Sequence, residues 1–153
     1  MNERMNERMN ERIREFFAEY EARVNSALQA TAKVDAKAMA QAFSDCFIGA
    51  NPSGVACGKN DELFQSQILQ GFEYYRSIGT KSMKISGLKV TALDEFHVQV
   101  TVRWRSDYVK RDGKGERIDF DVIYLLQTIG ERPRIFAYIT GEEERTLRER
   151  GLI

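Results

Sequence analysis

The apolar periodicity of this chain changes once, near residue 80, and that change limits the folds open to it. Before residue 80, apolar residues recur at the spacing of one helical face. After it they alternate with polar residues, as in strands that have one face in water. Helices followed by a run of strands indicate an α+β domain, with the helices packed on one face of an antiparallel sheet.

The composition fits one such domain and excludes several classes of protein. The chain has 153 residues, enough to bury about two-thirds of its unfolded surface without a disulfide or metal. Lys+Arg and Asp+Glu both number 23, and this balance argues against a nucleic-acid partner. No apolar run reaches the roughly 18 residues of a membrane span, so we expect no membrane partner. Two cysteines without a redox or metal motif suit a cytoplasmic location.

The first twelve residues repeat Met-Asn-Glu-Arg three times. Opposite charges three positions apart favour a helix, whereas like charges four positions apart oppose it. We interpret residues 1–12 as a frayed helical extension, with a partner-binding helix as the alternative. Residues 13–153 then form a single domain.

Three helices are expected before residue 80. The first spans about residues 13–33, and the second is capped by Asp35. The third begins at a cap at position 60 or 61 and ends at Gly79. A turn and a short strand over residues 55–57 separate the second helix from the third. The apolar face of the second helix contains Met39, Ala42, Phe43, Cys46 and Phe47.

The strand pattern predicts the register of one hairpin. Long strands are expected over 96–108 and 118–126, with a shorter one over 135–139 and a bulge at Gly87 before them. A three-residue loop ending at Gly113 makes opposed residue numbers sum to 224, and a five-residue loop would keep the same faces. The opposed pairs are then Trp104–Phe120, Arg105–Asp119 and Arg103–Asp121. A short last helix follows from Glu142 and closes at Gly151.

This arrangement resembles the nuclear transport factor 2-like superfamily, and within it the SnoaL-like proteins, which are similar to polyketide cyclases and ketosteroid isomerase. The resemblance spans residues 13–141 and is carried by the motifs Phe72-Glu73-Tyr74-Tyr75, Val102-Arg103-Trp104-Arg105 and Phe120-Asp121-Val122-Ile123-Tyr124. It implies an α+β fold in which a cone-shaped, curved antiparallel or mixed sheet wraps as a barrel around three N-terminal helices. It also implies a small-molecule pocket at the open end, and no cofactor.

The aromatic residues on the inward faces are the candidate ligand-binding set. Ordinary core packing is the alternative for each of them. The set consists of Tyr20, Phe47, Phe64, Phe72, Trp104, Tyr108, Phe120 and Tyr124.

Catalytic candidates are few. The resemblance suggests Tyr20 as a donor to an oxyanion, and Asp121 becomes a base only if a bulge turns it inward. The derived register instead points Asp121 outward at Arg103, which leaves no carboxylate among the inward strand positions. His97 lies on the polar face, and one histidine without clustered ligands predicts no metal site.

The outward face carries apolar residues where water would favour polar ones, which suggests a homodimer. The alternative is that a bulge or the last helix covers them. The predicted interface consists of Thr101, Arg103, Arg105, Ile123 and Leu125.

Three functions remain open at this level. The first is a cofactor-independent isomerase, cyclase-like lyase or dehydratase acting on a small hydrophobic carbonyl compound. The second is a non-catalytic protein that binds a ligand in the same pocket, and the third is a dimeric protein-interaction module. A pocket carboxylate with a raised pKa would favour the enzyme.

Overall fold

Six strands form one mixed sheet in the computed structural model, which describes residues 3–29 and 33–153. The order across the sheet is β2-β1-β6-β5-β4-β3, and only the β1–β6 pair is parallel. The helices are α1 (Glu3–Ala27), α2 (Ala36–Ala40), α3 (Glu62–Ser77) and α4 (Glu143–Glu149). The strands are β1 (Phe43–Asn51), β2 (Gly54–Lys59), β3 (Thr80–Ala92), β4 (His97–Val109), β5 (Gly115–Gln127) and β6 (Arg134–Ile139).

The predicted α+β class is confirmed, but the expected barrel is wrong. The sheet is open, because β2 and β3 are both edge strands with one hydrogen-bonded neighbour each. The helices pack on its inner face, where Ile13 and Phe17 of α1 are buried among even-numbered side chains of β4 and β5. Among the described residues, none of the helices combines the length and apolar character that crossing a bilayer requires.

The β4–β5 hairpin has the predicted register. Trp104 lies opposite Phe120, and this pairing runs unbroken along both strands. Gly113 has a φ of 86°, which places it in the left-handed region that the three-residue loop requires. The two expected cross-strand ion pairs form on the outer face. They are Arg103–Asp121 at 3.0 Å and Arg105–Asp119 at 3.2 Å.

The bulge expected near Gly87 is present in β3. Ile85 lies opposite Trp104 and Gly87 lies opposite Arg103, so Ser86 is the extra residue. The inserted residue changes the parity of β3, and Ile85 and Leu88 therefore both pack against the core. The core-facing apolar residues of β3 are therefore odd-numbered before Ser86 (Met83 and Ile85) and even-numbered after it (Leu88 and Val90).

The predicted second helix is wrong beyond its first turn. Asp35 caps it by accepting a hydrogen bond from the Ala38 amide at 3.0 Å, but α2 ends at Ala40. The chain then enters β1, because Phe43–Asn51 can pair with β2 on one side and β6 on the other. Phe43 and Phe47 stay buried in the strand, since residues four apart share a strand face as well as a helical one. Cys46 is exposed rather than part of the core.

Helix α1 is longer at its start and shorter at its end than expected. The described part of the Met-Asn-Glu-Arg repeat, residues 3–12, is regular helix rather than a frayed extension, and Met9 is buried in the core. Arg12 donates hydrogen bonds to the carbonyl oxygens of Thr128 and Gly130 in the loop after β5. The helix ends at Ala27 instead of near Lys33. Residues 1–2 and 30–32 lie outside the described part of the chain.

The burial of Met9 gives a test of the repeat's structural role. We expect Met9→Ala to lower the free energy of unfolding by about 2 kcal/mol, because it removes a core side chain. Its exposed neighbour supplies the control, and Asn10→Ala should change that free energy by less than about 0.5 kcal/mol. Urea unfolding followed by circular dichroism measures both. Equal effects of the two substitutions would contradict the packing of the repeat.

Candidate functional site

A cavity of about 260 Å³ lies between the inner face of the sheet and helices α1 and α3. Its walls combine aromatic side chains from the helices and from strands β1, β4, β5 and β6 with one carboxylate from α4. The lining residues are Tyr20, Val24, Phe43, Phe72, Tyr75, Met83, Trp104, Phe120, Val122, Tyr124, Tyr138, Thr140 and Glu143.

The aromatic walls follow from strand alternation and from one helical face. The β4–β5 register turns Trp104, Phe120 and Tyr124 to the same inner side. Tyr20 lies one turn after Phe17 on α1, and its ring centroid is 6.0 Å from that of Trp104 and 6.4 Å from that of Tyr124. Contacts at these distances are ordinary aromatic packing, so the rings make a continuous wall.

A buried hydrogen bond orients one phenol of this wall. The Trp104 indole N–H donates to the Tyr124 hydroxyl oxygen at 3.0 Å. The Tyr124 proton is therefore directed away from the indole and is available as a donor. Burial raises the pKa of Tyr124 well above 10 and that of Tyr20 to about 12. Both phenols consequently stay protonated at neutral pH and act as hydrogen-bond donors.

Glu143 supplies the carboxylate that sequence reasoning missed. It is the first residue of α4, and the Tyr75 hydroxyl donates to its Oε1 at 2.9 Å. Burial raises the pKa of Glu143 above its usual value, and the Tyr75 hydrogen bond opposes this in part. Among the described residues that line the cavity, none is Lys, Arg or His.

A signal for Glu143 was present in the sequence but weak. Alternation along β6 puts Tyr138 and Thr140 on the inner side, so the chain leaves the sheet at the cavity. In the sequence, the run Glu142-Glu143-Glu144 indicates only the start of a helix, because acidic residues suit a helix N-terminus. Which of the three faces inward depends on the turn at Gly141, and periodicity does not determine that turn.

The structure brings together five of the eight aromatic residues predicted to bind a ligand. Phe47 and Phe64 lie outside the cavity, with ring centroids 4.6 Å apart, and line a separate groove between α3 and the β1–β2 hairpin. Tyr108 packs in another cluster with Ile118 and Leu147. The five that line the cavity are Tyr20, Phe72, Trp104, Phe120 and Tyr124.

Asp121 points away from the cavity. Its carboxylate accepts hydrogen bonds from the Arg103 guanidinium at 3.0 and 3.3 Å, and this pairing holds the pKa of Asp121 below its usual value. The unbroken β4–β5 register contains no bulge that would turn it inward. His97 contacts Asp94 on the polar side. No group of three or more potential metal ligands occurs in residues 3–29 and 33–153.

The chain belongs to the NTF2-like family: the family model described as "NTF2-like protein (DUF6841)" matches residues 7–143. The expected superfamily is thereby confirmed, and the match begins inside the N-terminal repeat. No curated protein matches the sequence.

Solved structures share the fold at low sequence identity. An NTF2-like protein with a cystatin-like fold from Novosphingobium aromaticivorans has a TM-score of 0.66 and 14% identity, over 94% of this chain and 88% of that chain. A candidate scytalone dehydratase from the same organism has a TM-score of 0.65 and 10% identity, over 89% and 85%. A ketosteroid isomerase-like protein from Erwinia carotovora atroseptica has a TM-score of 0.60 and 14% identity, over 92% and 97%.

The position of Tyr138 in the cavity wall depends on a glycine and can be tested. A Cβ atom at Gly49 would lie 2.7 Å from the Tyr138 hydroxyl oxygen, so Gly49→Ala must displace this ring. We expect the substitution to lower the free energy of unfolding by about 1–3 kcal/mol. Gly71→Ala is the matched control, because no atom lies within 4 Å of its Cβ in α3. It should raise the free energy by about 0.5–1 kcal/mol. Thermal unfolding distinguishes the two, and a stabilising Gly49→Ala would refute the ring's placement.

Proposed function

We propose that this chain is a cofactor-independent enzyme that binds a small hydrophobic carbonyl compound in the aromatic cavity and transfers a proton on it. Glu143 carries the proposal, because a half-buried carboxylate of raised pKa lies among phenols that stay protonated at neutral pH. Isomerases, cyclases and dehydratases that form an enol intermediate all require this combination of a base and hydrogen-bond donors.

The proposed chemistry assigns one role to each group. The Glu143 carboxylate removes a proton from the carbon beside the carbonyl group. The electron pair moves to the carbonyl oxygen, where Tyr124 and Tyr20 donate hydrogen bonds to the developing charge. Glu143 then returns the proton either to another carbon, which completes an isomerisation, or to a hydroxyl group two carbons from the carbonyl carbon, which leaves as water while the electron pair returns from the carbonyl oxygen to form a carbon–carbon double bond. Burial is the main cause of the raised pKa of Tyr124, and the charges of Tyr20 and Glu143 add to it. Glu143 and Tyr124 therefore lie within electrostatic range of each other.

The walls favour a small ring compound. The volume of about 260 Å³ is slightly below the roughly 300 Å³ at which drug-sized pockets begin. Flat aromatic faces suit a flat apolar ligand, and the one carboxylate restricts where its reacting carbon lies. The names of the candidate scytalone dehydratase and the ketosteroid isomerase-like protein denote activities of this broad class. They support the choice of class and not of a substrate.

Exchange of carbon-bound protons tests this function directly. 2-Tetralone, a fused two-ring ketone, exchanges the protons beside its carbonyl group with D2O, and proton NMR follows the rate. We expect the full chain to accelerate exchange and Glu143→Gln to slow the catalysed rate by about 100-fold or more, because an amide is not a base. The rate should rise with pH and level off above the raised pKa of Glu143, since only the carboxylate form accepts a proton.

Glu144→Gln is the control, because Glu144 lies on the outside of α4 in an ion pair with Arg148. It should leave the exchange rate unchanged. Trp104 is the only tryptophan, so its fluorescence reports whether 2-tetralone occupies the cavity in each variant. If 2-tetralone binds but its proton exchange is not accelerated, the protein is a ligand-binding protein and not an enzyme of this class. Equal exchange rates for the wild type and Glu143→Gln would show that Glu143 is not the base.

We also propose a homodimer formed through the outer face of the sheet. None of the described helices covers this face, and α4 packs instead on Tyr108 and Ile118 of the inner side. Ile48, Val55 and Ile139 are large apolar residues exposed on it. The strand registers join its side chains into two rows. One row is Thr101, Ile123, Ile139, Ala50 and Val55, and the next is Gln99, Leu125, Ala137, Ile48 and Cys57.

The charges beside these rows favour a second copy as the occupant. Three ion pairs follow one another along β4 and β5: Arg103–Asp121, Arg105–Asp119 and Arg117–Asp107. The arginine lies on β4 in the first two pairs and on β5 in the third. A surface with both signs in ordered pairs can meet its own copy across a two-fold axis without a net repulsion. Apolar rows bordered by such pairs have the form of an interface core and its rim.

Oligomeric state tests this surface. We expect native mass spectrometry and sedimentation velocity to show a dimer for the wild type. Ile123→Glu should give a monomer, because it places a charge within the first apolar row. Leu63→Glu changes an equally apolar, exposed residue on α3 and should leave the dimer intact. A monomeric wild type, or a dimer that survives Ile123→Glu, would refute the interface.

The exposed thiols support a reducing location. Cys46 and Cys57 lie on neighbouring strands β1 and β2, and both are free and exposed. Exposed thiols persist where glutathione and thioredoxin keep them reduced. We therefore propose a cytoplasmic protein, in keeping with the expectation from the sequence.

A further inference from the structure

We infer that the aromatic cavity is a binding site for an organic cation, a small molecule that carries an alkylammonium group. The inference rests on the composition of the cavity and not on proton transfer. Two independent features support it: a half-buried carboxylate that no cation among the lining residues accompanies, and aromatic side chains that line the same space.

The first feature is a half-buried carboxylate without a charged partner. Glu143 is the only residue with a full charge among the described residues that line the cavity, and its one hydrogen-bond donor is the neutral Tyr75 hydroxyl. A buried carboxylate is normally accompanied by a cation, because desolvation without a partner is costly. A ligand with a positive charge would supply the missing partner at this place.

The second feature is the abundance of aromatic faces. Eight aromatic residues line the cavity, and neighbouring ring centroids lie close together, at 6.0 Å for Tyr20–Trp104 and 6.1 Å for Phe43–Tyr138. The π-face of an aromatic ring attracts a cation, most strongly for tryptophan, and cages of such rings recognise quaternary ammonium groups. The eight are Tyr20, Phe43, Phe72, Tyr75, Trp104, Phe120, Tyr124 and Tyr138.

The opening beside α4 adds a charge of the same sign. A groove there shares Tyr75, Thr140 and Glu143 with the cavity and continues along α4. Its two arginines are already paired, Arg145 with Glu149 and Arg148 with Glu144. Glu142 has no ion-pair partner among the described residues, so the mouth of the cavity has a negative excess that attracts cations.

A second hollow, lined in part by Tyr20, does not offset the negative charge at the cavity. It contains three arginines and three glutamates, so its formal charges cancel. They are Arg12, Arg23, Arg132, Glu15, Glu19 and Glu131. The electrostatic preference of the cavity is therefore determined by Glu143 within and Glu142 at the rim. A neutral ligand uses the aromatic walls alone, whereas an ammonium ligand uses the walls and the charge.

Choline and 3,3-dimethylbutan-1-ol are the matched probes for this inference. They have the same shape and differ only in that a quaternary nitrogen replaces a carbon atom. Trp104 fluorescence and isothermal titration calorimetry on the full wild-type chain give both dissociation constants. We expect choline to bind at least about tenfold more tightly, because only choline gains from the ring faces and from Glu143.

Two variants locate the effect. Glu143→Gln should reduce the preference for choline by at least about fivefold, because only the aromatic rings then favour the cation. Glu73→Gln, at an exposed position of α3 that lines neither the cavity nor the groove, should keep the wild-type preference. Equal affinities in the wild type, tighter binding of the alcohol, no binding of either at millimolar concentration, or a preference that Glu143→Gln leaves unchanged would each overturn the inference. The wild-type comparison stands even if a variant fails to fold. Neither probe has a carbonyl group, so these results are independent of 2-tetralone exchange.

Discussion

The pairing of β4 with β5 is the constraint on which the rest of this structure depends. Trp104 and Phe120 lie opposite each other and both point inward. Every second residue along each strand then points inward as well. A slip of one residue would exchange the two faces of these strands, since side chains alternate along a strand. The indole would then face water, and Arg103 and Arg105 would lie under the helices, away from Asp121 and Asp119.

The inner and outer faces created by this register have opposite chemistry. Inside, the Trp104 N–H is satisfied by the Tyr124 hydroxyl, which fixes the orientation of both rings without introducing a charge. Outside, arginine–aspartate pairs border apolar rows that continue onto β6 and β1. The bulge at Ser86 changes which residues of β3 point inward, from odd-numbered before it to even-numbered after it. Both halves of β3 therefore contribute apolar side chains to the inner face. One alternating pattern thus produces both the cavity and, on the opposite face, the apolar rows proposed as a dimer interface.

The carboxylate of the site comes from the end of the chain rather than from this hairpin. Glu143 reaches the cavity because β6 pairs with β5 on one side and with β1 on the other, which ends the strand beside Tyr75 of α3. Its burial without a cation raises its pKa and makes it useful both as a base and as a partner for a positive charge. The two proposals use the same atom in different ways, and a bound cation would hold Glu143 in its ionised form.

The sequence by itself determined the fold class, the β4–β5 register, the bulge near Gly87 and the outward direction of Asp121, because each depends on alternation and turn chemistry within neighbouring segments. Only the tertiary structure decided that Phe43 begins a strand, since its partners in β2 and β6 lie far along the chain and override a local helical spacing. It likewise decided that Glu143 lines the cavity and that Phe47 does not. Such placements depend on how distant elements meet, and a periodic pattern contains no information about that.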